Sequence, residues 1–135
     1  MRYLLDVNAL VALGFFHHEF HDRVAEWIRS TFRDAPEFAT CSITELGFIR
    51  VLGQVPQYDL TISQARTLLL RLKAGNSLRF TFIPDDHDIS YLPSWVRNPN
   101  QTTDGHLAQL AKAHDATLAT LDRGIPGALL IPATR

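Results

Sequence analysis

The chain has 135 residues and a formal net charge of -1, and 46% of its residues are hydrophobic and 20% charged. These values are typical of a globular protein with one continuous core, so we expect a single domain over residues 1–135. No stretch is long and apolar enough to span a bilayer, and the near-neutral charge gives no general basic field for nucleic acid. Because Cys41 is the only cysteine, an intramolecular disulfide is excluded and a cytoplasmic location is expected.

The first predicted strand ends at an acidic residue. The apolar run from Tyr3 to Leu5 stops at Asp6, and a helical pattern begins at Ala9. A carboxylate after a buried strand lies in the crevice beyond the strand's carboxyl end, where open α/β sheets bind ligands. The structural alternative is a helix N-cap, because Asp is a favoured residue there.

A histidine-rich segment follows the first helix. Its sequence HHEFH differs from the HExxH zinc motif, because only two residues separate His18 from His21. His17 and His21 share a helix face, but no third ligand is near them in the sequence, which favours a solvated turn over a metal site. The next helix is predicted to begin at Asp22, as its cap, and to end before Pro36.

A second acidic residue follows the second predicted strand, which covers Phe38 to Cys41. The residues Ser42 to Glu45 match a capping box, in which Ser42 caps the next helix and Glu45 reaches back to it. The functional alternative uses the same geometry. A carboxylate in the first turn of a helix that begins at a strand's end faces the same crevice as Asp6.

The middle of the chain predicts one long helix and a third strand. Thr61 and Gln64 match another capping box, and the helix that they open ends near Gly75. Strand three is predicted from Arg79 to Ile83. The long helix carries three basic residues, which we interpret first as a solvated face and second as a polyanion contact: Arg66, Arg71 and Lys73.

An acidic turn and an irregular loop follow the third strand. We expect Asp85, Asp86 and Asp88 to be solvated or to cap a short helix, with Asp88 as the cap, rather than to bind a metal. In the loop after them, Trp95 lies close to Arg97. This pair can stack on an unpaired base and contact phosphate, or Trp95 can pack beneath the loop.

Two further acids repeat the positions of the first two. Asp104 lies in the first turn of a predicted helix, where a carboxylate also stabilises the helix dipole. The strand predicted from Ala116 to Leu121 stops at Asp122, as the first strand stops at Asp6. A short terminal strand is predicted from Leu129 to Ile131.

Alternating strands and helices predict an α/β fold, with a central and mainly parallel sheet flanked by helices. The carboxyl ends of parallel strands share one edge, so four acids are expected together there: Asp6, Glu45, Asp104 and Asp122. Four carboxylates without matching lysines or arginines repel one another, and Mg²⁺ or Mn²⁺ would relieve that repulsion. Such an ion activates water and supports in-line displacement at phosphorus, so the indicated chemistry is phosphodiester hydrolysis.

At these acids the sequence resembles a known family. The segments LLDVNAL, SITELGFIR, TTDGHLAQLA and LATLDRGI look like the acidic motifs of PIN-domain nucleases, in their usual order and spacing. The resemblance covers essentially the whole chain and is strongest to the small VapC-type ribonuclease toxins of bacterial toxin–antitoxin pairs. It implies a single PIN-like domain that cleaves RNA with Mg²⁺, or with Mn²⁺ in its place, leaving a 5′-phosphate and a 3′-hydroxyl.

The resemblance also implies roles for residues and partners. Asp6, Glu45, Asp104 and Asp122 would hold the metal, and Asn8 and Thr103 would be positioning residues. Three arginines are candidate RNA contacts: Arg50, Arg97 and Arg123. The family further implies a homodimer and a cognate antitoxin, whose natural contact would be apolar surface on the early helices and on the helix from Thr61 to Lys73.

One departure from the family pattern concerns the fourth acid. Many members carry a second acid two residues after the one that matches Asp122, whereas Gly124 stands there in this chain. Two other enzyme classes fit less well. A receiver domain would carry adjacent acids after the first strand, and a haloacid-dehalogenase-like phosphatase would carry an acid at Asn8. The remaining alternative is a non-catalytic PIN-like module that binds RNA or protein.

Overall fold

The computed structural model describes residues 1–134 and confirms the predicted α/β class. Its sheet has five strands, all parallel, in the order β3-β2-β1-β4-β5. The strands are β1 (Arg2–Leu5), β2 (Glu37–Thr40), β3 (Phe80–Phe82), β4 (Thr117–Thr120) and β5 (Leu129–Leu130). The α-helices are α1 (Val7–Gly14), α2 (His21–Thr31), α3 (Ser42–Gln54), α4 (Ile62–Ala74) and α5 (Thr102–Ala113). Short 3₁₀ turns cover Phe32–Asp34, Ile89–Tyr91 and Pro99–Gln101.

The helices cover both faces of the sheet. Successive residues of a strand point to opposite faces, so Leu5 packs with residues of α1 to α4, while Leu4 packs with Leu107 and Leu110 of α5. The core on the Leu5 side of the sheet is the larger of the two, and it includes Phe38 of β2 and Phe48 of α3. None of the helices within residues 1–134 has the length and apolarity needed to cross a membrane.

The strand order places a topological switch point beside β1. The chain runs outward from β1 to β2 and β3, and then returns to the opposite side of β1 to form β4. Register pairs Leu4 of β1 with Ala39 on one side and with Leu118 on the other. Ligands of open parallel sheets bind beyond the carboxyl ends of strands at such a point.

Two glycines allow the elements around this edge to approach closely. A Cβ atom at Gly47 of α3 would lie 2.5 Å from Val7 of α1, and one at Gly105 of α5 would lie 2.2 Å from Val96. Gly47 therefore sets the contact between α1 and α3. Gly105 lets the loop that contains Val96 pack against the first turn of α5.

Local details of two predicted helix starts were wrong. Ser42 is not the cap of α3, because Cys41 is still extended while Ser42 is already helical. The capping bond is between the Cys41 N–H and Thr44 Oγ1, at 3.0 Å. Asp22 is not the cap of α2 either, since that helix begins at His21 after Phe20, and no side chain caps it.

Other local predictions are confirmed. The capping box of Thr61 and Gln64 has both of its hydrogen bonds, at 2.9 and 3.0 Å, and Gly75 follows the last residue of α4. The Asp88 carboxylate caps the short turn after it by accepting from the Ser90 N–H at 2.9 Å. The terminal strand forms as β5.

Candidate metal centre at the carboxyl edge of the sheet

Asp6 lies at the switch point as both an N-cap and a buried acid. One carboxylate oxygen accepts from the Val7 N–H at 2.8 Å, and the other accepts from the Thr120 hydroxyl at 2.7 Å. The residue is only 5% exposed. This burial raises the pKa of Asp6 above its usual value, and the charge of Asp122 adds to the rise, while the two hydrogen bonds oppose it.

Three acids from three different elements converge at this edge. Ligand oxygens of Asp6, Asp104 and Asp122 all lie within 4.8 Å of one another. Asp104 is in the first turn of α5, and Asp122 comes two residues after the end of β4. Partial burial raises the pKa of Asp104, and the charges of Asp6 and Asp122 raise it further.

Thr120, the last residue of β4, connects the acids at this edge. Its fully buried side chain donates to Asp6 and accepts from the Asp122 N–H at 3.0 Å. The Asn8 amide nitrogen lies 3.4 Å from the Thr120 oxygen, and the Asn8 carbonyl oxygen accepts from the Leu121 N–H at 3.1 Å. Asn8 and Thr120 thus hold the end of β4 against the start of α1.

Glu45 lies outside the group of three acids. Its Oε2 accepts from the Thr40 hydroxyl at 2.6 Å and pairs with the Lys73 ammonium. Thr40 ends β2, the neighbour of β1, so Glu45 sits over the strand end next to Asp6. The prediction of four carboxylates without a matching lysine was therefore wrong, because α4 packs against α3 and brings Lys73 to Glu45.

The other predicted contact residues lie at the surface. Thr103 is exposed directly before Asp104, and the three arginines are exposed as well: Arg50, Arg97 and Arg123. Within residues 1–134, none of these arginines forms an ion pair with the four acids. Trp95 is half-buried. This exposure does not decide between stacking on a base and packing beneath the loop.

The remaining histidines and acids are engaged in other ways. His21 Nδ1 lies 2.8 Å from the Ala12 carbonyl oxygen, so His21 fastens α2 to α1. Two acids of the turn after β3 pair with histidines of α5 or its C-cap: Asp85 with His106 at 2.7 Å, and Asp86 with His114 at 3.2 Å. These two pairs connect the turn after β3 to α5.

The donor set of the three-acid group fits a hard divalent cation. Asp6, Asp104 and Asp122 offer carboxylate oxygens and no nitrogen or sulfur, which is the chemistry that Mg²⁺ and Mn²⁺ prefer. No lysine or arginine within residues 1–134 forms an ion pair with these three acids. The mutual repulsion that raises the pKa of Asp104 is relieved when a cation binds.

Comparison with known families agrees with this architecture. The PIN domain family matches residues 3–127 of the chain. The three acids at the carboxyl edge of the sheet lie within the matched residues. The chain belongs to the PIN-domain family.

Its relatives place it more narrowly within that family. It is 37% identical to ribonuclease VapC44 of Mycobacterium tuberculosis, over 93% of this chain and 89% of that one. It is 35% identical to ribonuclease VapC29 of the same species, over 99% of both chains, and 38% identical to ribonuclease VapC38, over 90% of this chain and 86% of that one. The recognition of a VapC-type PIN toxin from the sequence is thereby confirmed.

Solved structures of low sequence identity share the fold. One is VapBC2 of Rickettsia felis bound to a DNA fragment from the promoter, which is 18% identical, covers 96% of both chains and has a TM-score of 0.62. Another is VapC20 of M. tuberculosis, described as a sarcin-ricin loop cleaving toxin, which is 10% identical with a TM-score of 0.57 over 90% and 89% of the two chains.

Proposed function

We propose that this chain is a metal-dependent endoribonuclease and the toxin of a toxin–antitoxin pair. The observation that carries the proposal is the group formed by Asp6, Asp104 and Asp122 at the switch point of the sheet, in a chain whose relatives are VapC ribonucleases. Within the proposal, residues 1–135 form one catalytic domain that works in the cytoplasm and is not inserted in a membrane.

In this proposal Asp6, Asp104 and Asp122 hold Mg²⁺, which Mn²⁺ can replace. When bound, such an ion polarises a phosphate oxygen and lowers the pKa of water. Thr120 and the α1 backbone each bind one oxygen of Asp6, so the carboxylate is held in one orientation before any ligand arrives. Asn8 supports this arrangement by fastening Leu121 and Thr120.

Glu45 is proposed as a fourth ligand through its second oxygen. Its Oε2 is committed to Thr40 and Lys73, while Oε1 has no hydrogen bond within residues 1–134. A carboxylate can use its two oxygens for different partners. The Thr40 hydroxyl then orients the Glu45 carboxylate by donating to it, as the Thr120 hydroxyl orients the Asp6 carboxylate.

The substrate proposed is RNA, in a single-stranded segment that exposes its backbone to the acidic edge. Thr103 is exposed directly before Asp104, and three exposed arginines are the proposed cations for the RNA backbone: Arg50, Arg97 and Arg123. Arginine binds phosphate oxygens in a bidentate manner and stacks on unpaired bases. These residues are proposed to bind and orient the strand.

A cognate antitoxin and a second copy of the chain are the proposed protein partners. An apolar groove of about 480 Å³ lies between the end of α1 and α4, and it is lined by Phe15, Phe16, Leu60 and Leu68 among others. Phe16 is 73% exposed and shares this groove with the other apolar side chains, and a contiguous exposed apolar surface is typical of a protein-binding site. We assign this groove to a segment of the antitoxin.

The test is cleavage of total cellular RNA by the purified chain, free of antitoxin. Reactions contain Mg²⁺, Mn²⁺ or EDTA, and the Asp6→Asn variant runs beside the wild type. Discrete fragments that require both the metal and Asp6 are the expected result. If the folded wild type cuts no RNA with either metal, the non-catalytic binding module is the better account.

A further inference from the structure

We propose that Lys73 is a substrate-positioning residue of this site, whose ammonium binds a phosphate of the RNA backbone and is held in place by Glu45. The inference rests on the proposed function and adds a cation that directly contacts one of the proposed metal ligands. The sequence alone gives Lys73 no role that differs from those of Arg66 and Arg71, the other two basic residues of α4.

The position of Lys73 supports the proposal. It lies in the last turn of α4, but its ammonium reaches the carboxyl edge of the sheet. There it pairs with Glu45 and lies 5.5 Å from the centre of the Phe82 ring, at the end of β3. Lys73 therefore sits over the ends of β2 and β3, beside the strand that ends at Asp6.

Lys73 also has free donors and an opening to solvent. An ammonium group has three N–H donors, and within residues 1–134 Glu45 is the hydrogen-bond partner of Lys73. Its side chain is 24% exposed. A phosphate oxygen can therefore reach the ammonium without breaking the pair with Glu45.

The charge balance shows how Lys73 lowers the negative charge at this edge. Three ionised carboxylates in one group outweigh one divalent ion by one negative charge. Glu45 adds a further negative charge, which Lys73 cancels. The excess is therefore one negative charge with Lys73 and two without it, so the lysine lowers the repulsion that a polyanion meets at this edge. Because Glu45 and Phe82 already hold the ammonium, binding a phosphate costs less side-chain entropy than it would at an unrestrained surface lysine.

The first experiment measures binding of a short fluorescein-labelled single-stranded RNA of random sequence by anisotropy, over a series of salt concentrations. The protein carries Asp6→Asn, so that the RNA stays intact, and Mg²⁺ is present. Lys73→Gln keeps a donor for Glu45 but removes the charge. It is expected to weaken binding and to lower the slope of log K against log salt by about 0.7, the value of one phosphate contact on single strands.

Two variants serve as controls. Lys73→Arg keeps the charge and is expected to keep the salt slope. Arg66→Gln removes the same charge on the same helix, seven residues or about 10 Å further from the acids, and is expected to leave the slope unchanged. An unchanged slope in Lys73→Gln overturns the proposal. So does an equal decrease in Arg66→Gln, because the effect then belongs to the general charge of α4.

A second measurement requires no change at Lys73. The chain has two lysines, Lys73 and Lys112, and Lys112 is exposed on the last turn of α5. Acetylation followed by peptide mass spectrometry compares both in the Asp6→Asn protein, with and without RNA. We expect RNA to protect Lys73 several-fold more than Lys112. Equal protection, or none, contradicts the assignment.

Cleavage by the wild type separates this inference from the function on which it rests. If the wild type neither binds nor cuts RNA, both fail together. If the wild type cuts RNA while Lys73→Gln keeps the salt slope, only the role of Lys73 fails, and the pair with Glu45 is then a structural contact between α3 and α4.

Discussion

Two groups of three acids in this molecule have opposite surroundings. Asp6, Asp104 and Asp122 come from distant parts of the chain and meet, and no lysine or arginine among residues 1–134 forms an ion pair with them. Asp85, Asp86 and Asp88 are almost contiguous, yet two of them pair with histidines and the third caps a turn. Acids that are adjacent in the sequence here have separate hydrogen-bond partners, whereas acids that are far apart share one site.

The pKa shifts follow this difference. Burial and neighbouring carboxylates raise the pKa of Asp6 and Asp104. The hydrogen bond from His114 lowers the pKa of Asp86, and hydrogen bonds from Ser90 lower that of Asp88. Burial and, to a smaller extent, mutual repulsion disfavour the charged form of the Asp6 and Asp104 carboxylates, and a bound cation favours it. In the turn after β3, hydrogen bonds instead favour the charged forms of Asp86 and Asp88.

The largest expected effect is the loss of cleavage in Asp6→Asn. Losing a residue that only orients a metal ligand typically costs 10- to 100-fold, so we expect the loss of a ligand to lower the cleavage rate by at least about 100-fold. Asn is also a good N-cap, so the fold should be retained and α1 should still begin at Val7. Cleavage rates and thermal melting in parallel check both statements. Unfolding of the variant would instead assign Asp6 a purely structural role.

A smaller effect is expected for Glu45→Gln. The amide keeps an acceptor for Thr40 but removes the charge that pairs with Lys73 and faces the metal. Because Glu45 lies outside the group of three acids, its loss should cost less than that of Asp6. We expect cleavage to fall by about tenfold, and the apparent affinity for Mg²⁺, measured by the metal dependence of melting, to fall as well. Full activity with unchanged metal affinity would remove Glu45 from the site.

The pH dependence of stability should differ between the two groups of acids. A raised pKa in the folded state means that Asp6 and Asp104 contribute stability below their usual value of 3.8, and that this contribution is lost as pH rises through the raised pKa. Without metal, Asp6→Asn should therefore melt above the wild type at neutral pH, with a gap that narrows on acidification.

Melting in EDTA from about pH 8 to about pH 4 measures that gap. For Asp86 the sign is opposite, because a lowered pKa stabilises the fold above 3.8 and its contribution is lost as pH falls through the lowered value. A gap for Asp6→Asn that widens on acidification would contradict the assignment of a destabilised acid at the edge of the sheet.

The smallest effect is expected for Asp86→Asn. Its partner His114 is the C-cap of α5, ten residues or about 15 Å along the helix from Asp104. Cleavage should stay within about twofold of the wild type, and the dependence on Mg²⁺ should not change. A large loss of activity in this variant would show that the two groups of acids are coupled through α5.

Much of this architecture could be predicted from local patterns. Apolar runs that stop at Asp6 and Asp122 identify β1 and β4. The helices that carry Glu45 and Asp104 in their first turns follow from the 3.6-residue spacing behind these acids. Parallel pairing then requires the strand ends to share one edge. Each of these predictions depends on residues that are close together in the sequence, so it can be made without a structure.

The contacts between distant elements could not be predicted in the same way. The pair of Lys73 and Glu45 depends on how α4 crosses α3, and no pattern within either helix indicates it. The Thr120 bond to Asp6 joins residues 114 positions apart. One signal for Thr120 was present, because a hydroxyl residue ends the strand just before the acid. The predicted N-cap of α3 was wrong because Ser is a more favoured N-cap residue than Cys, whereas in the structure Cys41 occupies that position.

The most direct test of the central claim is a crystal of the chain grown with Mn²⁺ and measured at a wavelength where manganese scatters anomalously. The account predicts an anomalous peak between Asp6, Asp104 and Asp122, and no peak at Asp85, Asp86 or Asp88. A peak at the turn after β3, or an empty acidic edge in crystals saturated with Mn²⁺, would contradict the claim that convergence of distant acids makes the metal centre.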